Sequence, residues 1–78
     1  MSNKIEITTP YIELDSFLKF TGLCYTGGEA KLIIKDGLVS VNGEVCTMRK
    51  KKLYDGDTVI IDHQKFKTTL TLHRVASP

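Results

Sequence analysis

The chain of 78 residues carries a formal net charge of +2, with 41% hydrophobic and 26% charged residues. This composition is typical of one small globular domain over residues 1–78 and excludes a disordered chain. No apolar run approaches the ~20 residues of a membrane-spanning helix, and the N-terminal segment lacks the apolar centre of a signal peptide, so we expect a soluble cytoplasmic protein without membrane contact.

The first predicted elements are extended. In "KIEIT", Ile5 and Ile7 alternate with other residues, which is typical of a short edge strand. Pro10 interrupts this strand, because proline cannot donate a ladder hydrogen bond. "YIEL" is a second short extended segment that leads towards the core.

Two short helices follow. In "LDSFLKFTGL" apolar residues recur at i, i+3 and i+4, and we expect Asp15 or Ser16 to cap the free amides at the helix start. In "TGGEAKLIIKDG", Thr26 and Glu29 have the spacing of a capping box, and Gly37 can take the left-handed conformation that ends a helix. Each helix buries one apolar stripe, which consists of Leu14, Phe17 and Leu18 in the first helix and Ala30, Ile33 and Ile34 in the second.

The remaining elements are strands. Asn42-Gly43 is a strong signal for a tight hairpin turn between "LVSV" and "EVC". "TVIID" is typical of a buried strand, and "FKTTLTLHRV" alternates like a half-exposed strand that can pair with the N-terminal one. The residues predicted to face inward in this last strand are Phe66, Thr68, Leu70 and Leu72. The predicted fold class is α+β, with two short helices followed by a β-hairpin and packed with a small, mainly antiparallel sheet.

Positive charge is concentrated after the hairpin. Residues 1–39 hold four Lys against five acids, whereas residues 40–78 hold seven Lys and Arg against four acids. Four of these seven bases are consecutive and form what we call the basic segment: Arg49, Lys50, Lys51 and Lys52. Adjacent positive charges repel one another unless an anion is bound, so the segment indicates a polyanionic partner, although many charge runs are simply solvated.

Other candidate contacts lie on the helices and next to the turns. Lys31 and Lys35 are four residues apart and share one face of the second helix, and Lys19 lies off the apolar stripe of the first. A solvated helix face explains these lysines as well as contact with an external partner does. Tyr25 and Tyr54 can stack on unpaired bases, or they are aromatic residues at the edge of the core.

A double glycine opens the second helix. Without side chains, Gly27 and Gly28 would let a phosphate approach the free amides there. Thr26 and Glu29 compete for the same amides, so the favoured interpretation is that the glycines only permit a sharp entry into the helix.

Catalytic and metal sites have little support. The potential zinc ligands, Cys24, Cys46, His63 and His73, lack the close spacing of zinc sites, and both cysteines are expected to be free thiols. No nucleophile and base have a family-like spacing, and the domain is too small to enclose a substrate. We therefore expect no enzyme activity, no cofactor and no small-molecule substrate.

Several motifs occur in a fixed order along the middle of the chain. They are Leu14 with Phe17 and Leu18, Ala30-Lys31, Ile33-Ile34 with Gly37, Val39 to Gly43, and Gly56-Asp57. This set, over about residues 12–62, resembles the S4-like RNA-binding domain (the alpha-L motif) in its short, stand-alone bacterial form. The resemblance implies binding to structured RNA, commonly ribosomal or transfer RNA, with Lys31, Arg49, Lys51 and Lys52 at the family's basic positions. Thr26-Gly27 stands where many members have Ser-Arg, and residues 63–78 lie beyond the motif as a C-terminal strand.

Together these observations predict a monomeric, non-catalytic protein that contacts the phosphate backbone of structured RNA, with ribosomal RNA among the expected targets. The candidate RNA-binding residues are Lys19, Tyr25, Lys31, Lys35, Arg49, Lys50, Lys51 and Lys52. One rival hypothesis is a protein-interaction adaptor that offers "KTTLTLHRV" as an exposed edge strand. The other is a small enzyme, or the detached targeting domain of an enzyme, whose turnover would be sensitive to changes at Cys24, Cys46 or His73.

Overall fold

The computed structural model describes residues 2–63 and 67–75, which form two helices and seven strands. In chain order these are β1 (Ser2–Ile7), β2 (Ile12–Glu13), α1 (Leu14–Phe20), α2 (Gly27–Lys35), β3 (Val39–Val41), β4 (Glu44–Val45), β5 (Lys52–Leu53), β6 (Thr58–Asp62) and β7 (Lys67–Arg74). The α+β prediction is confirmed, and both helices and the hairpin occur where the sequence predicts them. Neither helix in this part of the chain is long and apolar enough to cross a membrane.

Five strands form one sheet in the order β1-β7-β6-β3-β4, and β2 pairs separately with β5. All pairs are antiparallel except β1 with β7, which run parallel with Ser2 opposite Thr69. β7 therefore has a neighbour on each side. The hypothesis that "KTTLTLHRV" offers an exposed edge strand is wrong, because its backbone groups already pair with β1 and β6. Within the described sheet the outer strands are β1 and β4.

The core is one cluster of buried side chains that joins both helices to the sheet. α1 buries its whole predicted stripe, whereas α2 leaves Ile33 half-buried. The alternation predicted for β7 is present, because Leu70 and Leu72 are buried and the residues between and beside them are not. Phe66, which was predicted to face inward in the same strand, lies outside the described residues.

Both cysteines are free thiols, as predicted, with Cys24 buried and Cys46 half-buried. Burial raises the pKa of the Cys24 thiol, and the nearby Glu29 carboxylate adds to the increase. A buried thiol with a raised pKa is a small hydrophobic residue rather than a nucleophile. Within residues 2–63 and 67–75, no group of His, Cys, Asp and Glu is arranged to hold a metal ion.

The turns that depend on neighbouring residues form as the sequence predicts. The Thr26 hydroxyl caps α2 by accepting a hydrogen bond from the Glu29 amide at 3.2 Å. Gly37 follows α2 with φ 76°, the left-handed conformation that lets a helix end in a tight turn. Asn42 and Gly43 have φ of 53° and 88°, as a two-residue hairpin turn requires.

The prediction that Asp15 or Ser16 caps the free amides of α1 is correct only in part, since Asp15 accepts a bond from one of these amides but is not at the cap position. The helix begins at Leu14, so both residues lie inside its first turn. Glu13 occupies the cap position, and its side chain makes no capping hydrogen bond. The Ser16 amide donates to Asp15 Oδ1 at 2.7 Å, whereas the Leu14 and Asp15 amides donate to carbonyl groups in a distant part of the chain, which local sequence does not reveal.

Two sequence motifs, "VNG" in the hairpin and "GD" before β6, are joined by hydrogen bonds. The Asn42 side chain donates to Asp57 Oδ1 at 3.0 Å and accepts from the Thr58 amide at 2.9 Å. Asp57 Oδ2 accepts from the Tyr54 amide at 2.8 Å. The tip of the hairpin is therefore attached to the turn that precedes β6, which fixes one wall of the groove described below.

We expect Asp57→Ala to lower the free energy of unfolding by about 1–2 kcal/mol, because it removes the acceptor for both Asn42 and the Tyr54 amide. Urea unfolding followed by circular dichroism measures the change. Asp62→Ala is the matched control, since Asp62 is exposed and its side chain forms no hydrogen bond with a described residue. Equal stability of the two variants would contradict this role of Asp57.

Candidate nucleic-acid interface

The backbone of the basic segment lies against the start of α1. The Leu14 amide donates to the Lys51 carbonyl oxygen at 2.8 Å, and the Asp15 amide donates to the Arg49 carbonyl oxygen at 3.1 Å. These amides belong to the first helical turn, where no carbonyl of the same helix is in reach. Beyond this point β5 pairs with β2, with Glu13 opposite Lys52. The four positive residues are thus held in one defined conformation.

Two of the four basic side chains contact acids at the start of α1. Lys50 Nζ lies 3.1 Å from Asp15 Oδ2 and 3.7 Å from Glu13 Oε1. Arg49 Nε lies 3.8 Å from the same oxygen of Asp15. Part of the positive charge that was predicted to contact RNA is therefore balanced by acids within the protein.

Asp15 is the one buried charged residue in the described part of the chain. Burial alone raises the pKa of its carboxyl, but the Lys50 hydrogen bond, the Ser16 amide and the charges of Lys50 and Arg49 together hold the pKa below its ordinary value of 3.8. Asp15 therefore stays ionised at neutral pH and attracts the basic segment.

The other two basic side chains line a groove of about 630 Å³ between the hairpin and the basic segment. Lys51 and Lys52 are exposed there, and neither forms an ion pair with any described residue. The groove is lined by Val41, Asn42, Glu44, Val45, Cys46, Thr47, Met48, Lys51, Lys52, Tyr54 and Asp57. It combines two lysines that have no ion-pair partner among the described residues with an apolar surface.

Two tyrosines stand beside Lys52. Tyr11 and Tyr54 contact each other with ring centroids 5.9 Å apart and planes inclined at 46°. Lys52 Nζ lies 4.9 Å from the centroid of the Tyr11 ring, within the range of a cation–π contact. The contact orients Lys52 without neutralising its charge, so the ammonium group stays able to bind an anion.

The helical lysines and Tyr25 are exposed but do not line the groove. Lys19, Lys31 and Lys35 form no ion pair with residues 2–63 or 67–75. Tyr25, between the helices, is 86% exposed and has the most exposed ring in this part of the chain. The candidate residues thus fall into three groups: two that pair with acids, two that line the groove, and the lysines of the helices together with Tyr25.

Nothing in the described part of the structure requires glycine at the two positions that open α2. Neither Gly27 nor Gly28 has a positive φ, and a Cβ at Gly27 would meet no atom within 4 Å. Thr26 already satisfies the Glu29 amide, as the favoured interpretation of the sequence required. The presence of glycine at these two positions has no explanation in the described fold.

Sequence reasoning missed the acids that hold the basic segment and the aromatic neighbour of Tyr54. Asp15 was assigned to helix capping, and Glu13 and Tyr11 were given no role. The available signal was charge complementarity between "YIELD" and "RKKKL", two short segments with opposite charge. That signal becomes specific only once the pairing of β2 with β5 is known.

We expect Asp15→Asn to lower the free energy of unfolding at neutral pH by about 1 kcal/mol and to flatten its decrease in acid. The folded-state pKa of Asp15 is depressed, so its stabilisation is complete above its ordinary value of 3.8 and is lost as the pH falls through the lower folded-state pKa. Urea unfolding at a series of pH values measures both effects. Asp62→Asn, an exposed control, should keep the acid dependence of the original chain, and an unchanged acid dependence in Asp15→Asn would contradict the assignment.

Comparison with known proteins assigns the chain to a family. The family model described as "S4 domain" matches residues 5–69. The chain is 42% identical over 62 residues to the Bacillus subtilis protein named "Probable ribosome maturation protein RlbA", which covers 80% of this chain and 87% of that relative. It is 40% identical over 50 residues to the Escherichia coli protein named "Putative RNA-binding protein YbcJ", covering 64% of this chain and 71% of that one. The chain belongs to the S4 domain family.

Proposed function

We propose that this protein is a non-catalytic RNA-binding protein that grips the phosphate backbone of structured RNA, with α1, α2 and the β3–β4 hairpin acting as an alpha-L motif. Membership of the S4 domain family supports RNA as the partner. The Escherichia coli relative is named for RNA binding and the Bacillus subtilis relative for ribosome maturation. Those names favour ribosomal RNA as the target over transfer RNA.

The observation that carries the proposal is the pair of exposed ammonium groups at the groove. Arg49 and Lys50 lie within ion-pair distance of acids. Lys51 and Lys52, which follow them directly, have no acid at that distance among residues 2–63 and 67–75. Two neighbouring cations without a counterion repel each other, and a phosphate between them removes that repulsion. Lys51 and Lys52 are therefore the main phosphate contacts, and Arg49 and Lys50 chiefly hold the segment in position.

The helical lysines extend the contact in this proposal. Lys31 and Lys35 lie on α2, and Lys19 lies in the last turn of α1. If these side chains and the basic segment form one continuous positive surface, a folded RNA can bridge both. Tyr25 would then meet the RNA next to the helices. Continuity of this surface is a prediction, as are the extent of the domain over residues 1–78, the monomeric state and the cytoplasmic location.

Recognition in this proposal depends on RNA shape more than on base sequence. Lysine is a point charge that binds phosphate oxygens without distinguishing the base attached to them. With about five phosphates contacted, the logarithm of the binding constant falls with the logarithm of the salt concentration with a slope of about −4.

We expect the double substitution Lys51→Gln/Lys52→Gln to weaken binding to a structured ribosomal RNA fragment about tenfold or more and to reduce the salt slope by about two, one for each lost phosphate contact. Fluorescence anisotropy over a range of salt concentrations measures both quantities. The matched control is Lys50→Gln, which removes a neighbouring charge that is paired with Asp15 and Glu13. It should lower stability more than the double variant and change the salt slope less. A larger reduction of the salt slope in Lys50→Gln than in the double variant would assign the phosphate contact to Lys50 instead.

A second experiment addresses the helical surface. We expect Lys31→Glu/Lys35→Glu to weaken the same binding by about tenfold and to add to the effect of Lys51→Gln/Lys52→Gln, since distant sites on one surface contribute independently. The control is Lys67→Glu, an exposed lysine at the start of β7 that belongs to neither group. An equal loss of affinity in Lys67→Glu would indicate general charge attraction instead of a defined surface.

A further inference from the structure

The apolar part of the groove is not explained by phosphate binding. Met48, Val45 and Tyr54 are 66%, 63% and 50% exposed, and all three line the same groove. Three neighbouring apolar side chains left in water are unfavourable unless they are covered in a complex. A phosphate would leave them exposed, so the groove suits a ligand that has an apolar surface as well as a negative charge.

The charges in the groove favour a ligand with its negative charge at one place. Lys51 and Lys52 offer two ammonium groups, but Glu44 and Asp57 also line the groove. Asp57 is occupied by Asn42 and the Tyr54 amide, whereas Glu44 is exposed and forms no ion pair with a described residue. A run of phosphates along the groove would meet the Glu44 carboxylate. One phosphate at the lysines, followed by an uncharged aromatic group, avoids that repulsion.

The position of Tyr54 is fixed from two sides. Its amide is bonded to Asp57 at 2.8 Å, and its ring contacts Tyr11, which does not line the groove. A ring that is already ordered loses little conformational entropy when it stacks on a ligand. The groove volume, about 630 Å³, lies within the range of small-ligand sites.

We propose that this groove holds one unpaired base of the bound RNA, stacked on Tyr54 and covered by Met48 and Val45, while Lys51 and Lys52 bind its phosphate. The inference rests on the proposed RNA-binding function and adds the kind of RNA element that is bound. Bases inside an A-form helix have both faces covered by their neighbours, so only a bulged, looped or terminal nucleotide can supply the base. The protein then selects RNA helices that carry such a nucleotide.

The test compares three RNA hairpins that differ at one position of the stem. The first has a single bulged adenosine, the second is fully paired, and the third carries an abasic nucleotide in the bulge, which keeps the phosphate and the bend but removes the base. We expect the original protein to bind the first about tenfold more tightly than the other two, because stacking on an aromatic ring supplies that difference. Replacing the adenosine by 2-aminopurine should show fluorescence quenching when the protein is added.

Variants locate the base within the protein. Tyr54→Leu should lose the preference for the bulged adenosine but still bind the fully paired hairpin, whereas Tyr54→Phe should retain the preference because it keeps the ring. Circular dichroism confirms that both variants fold, which is expected because Tyr54 is half exposed. Met48→Ala should reduce the preference for the bulged adenosine, because it removes part of the apolar cover of the base and leaves the Tyr54 ring in place.

The outcomes separate this inference from the proposed function. Equal, salt-dependent binding to all three hairpins would overturn the base site and leave the phosphate contacts standing, and equal binding to the bulged and abasic hairpins would overturn it in the same way. Loss of the preference in Tyr25→Leu instead of Tyr54→Leu would assign the base to the loop between the helices and overturn the inference. Binding to none of the hairpins would overturn the proposed function together with this inference.

Discussion

The placement of the basic segment depends on the two hydrogen bonds from the first amides of α1 to the carbonyl groups of Lys51 and Arg49. A helix start carries unpaired amides and a partial positive charge, which attracts carbonyl oxygens but repels cationic side chains. Placing four positive residues at this end of a helix is therefore unfavourable without compensation. The buried carboxylate of Asp15, together with Glu13, supplies that compensation.

This arrangement divides one run of charge into two functions. The side chains of Arg49 and Lys50 turn towards the acids and contribute to the fold, while those of Lys51 and Lys52 line the groove. The opposite wall of the groove comes from the β3–β4 hairpin, whose tip is attached to Asp57 through Asn42. The "VNG" and "GD" motifs that contain Asn42 and Asp57 therefore have a structural role, because they attach the hairpin to the turn before β6.

Sequence reasoning succeeded where the interacting residues are close in the chain. The cap at Thr26, the left-handed Gly37 and the Asn42-Gly43 turn each depend on a few neighbouring residues, and all three were predicted correctly. It failed where the partner is distant. The first two amides of α1 donate to carbonyl groups more than thirty residues away, and the contact of Tyr11 with Tyr54 depends on the pairing of β2 with β5. Alternating hydrophobicity identified β7 as a strand, and its predicted pairing with the N-terminal strand is confirmed, but the pairing with β6 on its other side was missed.

The parallel pairing of β1 with β7 has a consequence for how the chain acquires its structure. Ser2 lies opposite Thr69, so this ladder joins residues that are made at very different times during translation. A nascent chain can form the helices and the β3–β4 hairpin early, because their contacts are local. The sheet is completed only when β7 emerges and inserts between β1 and β6, and until then both of those strands present unpaired backbone edges. Closing a ladder between strands this far apart in the chain costs more conformational entropy than closing the β3–β4 hairpin, so we expect it to form after the hairpin.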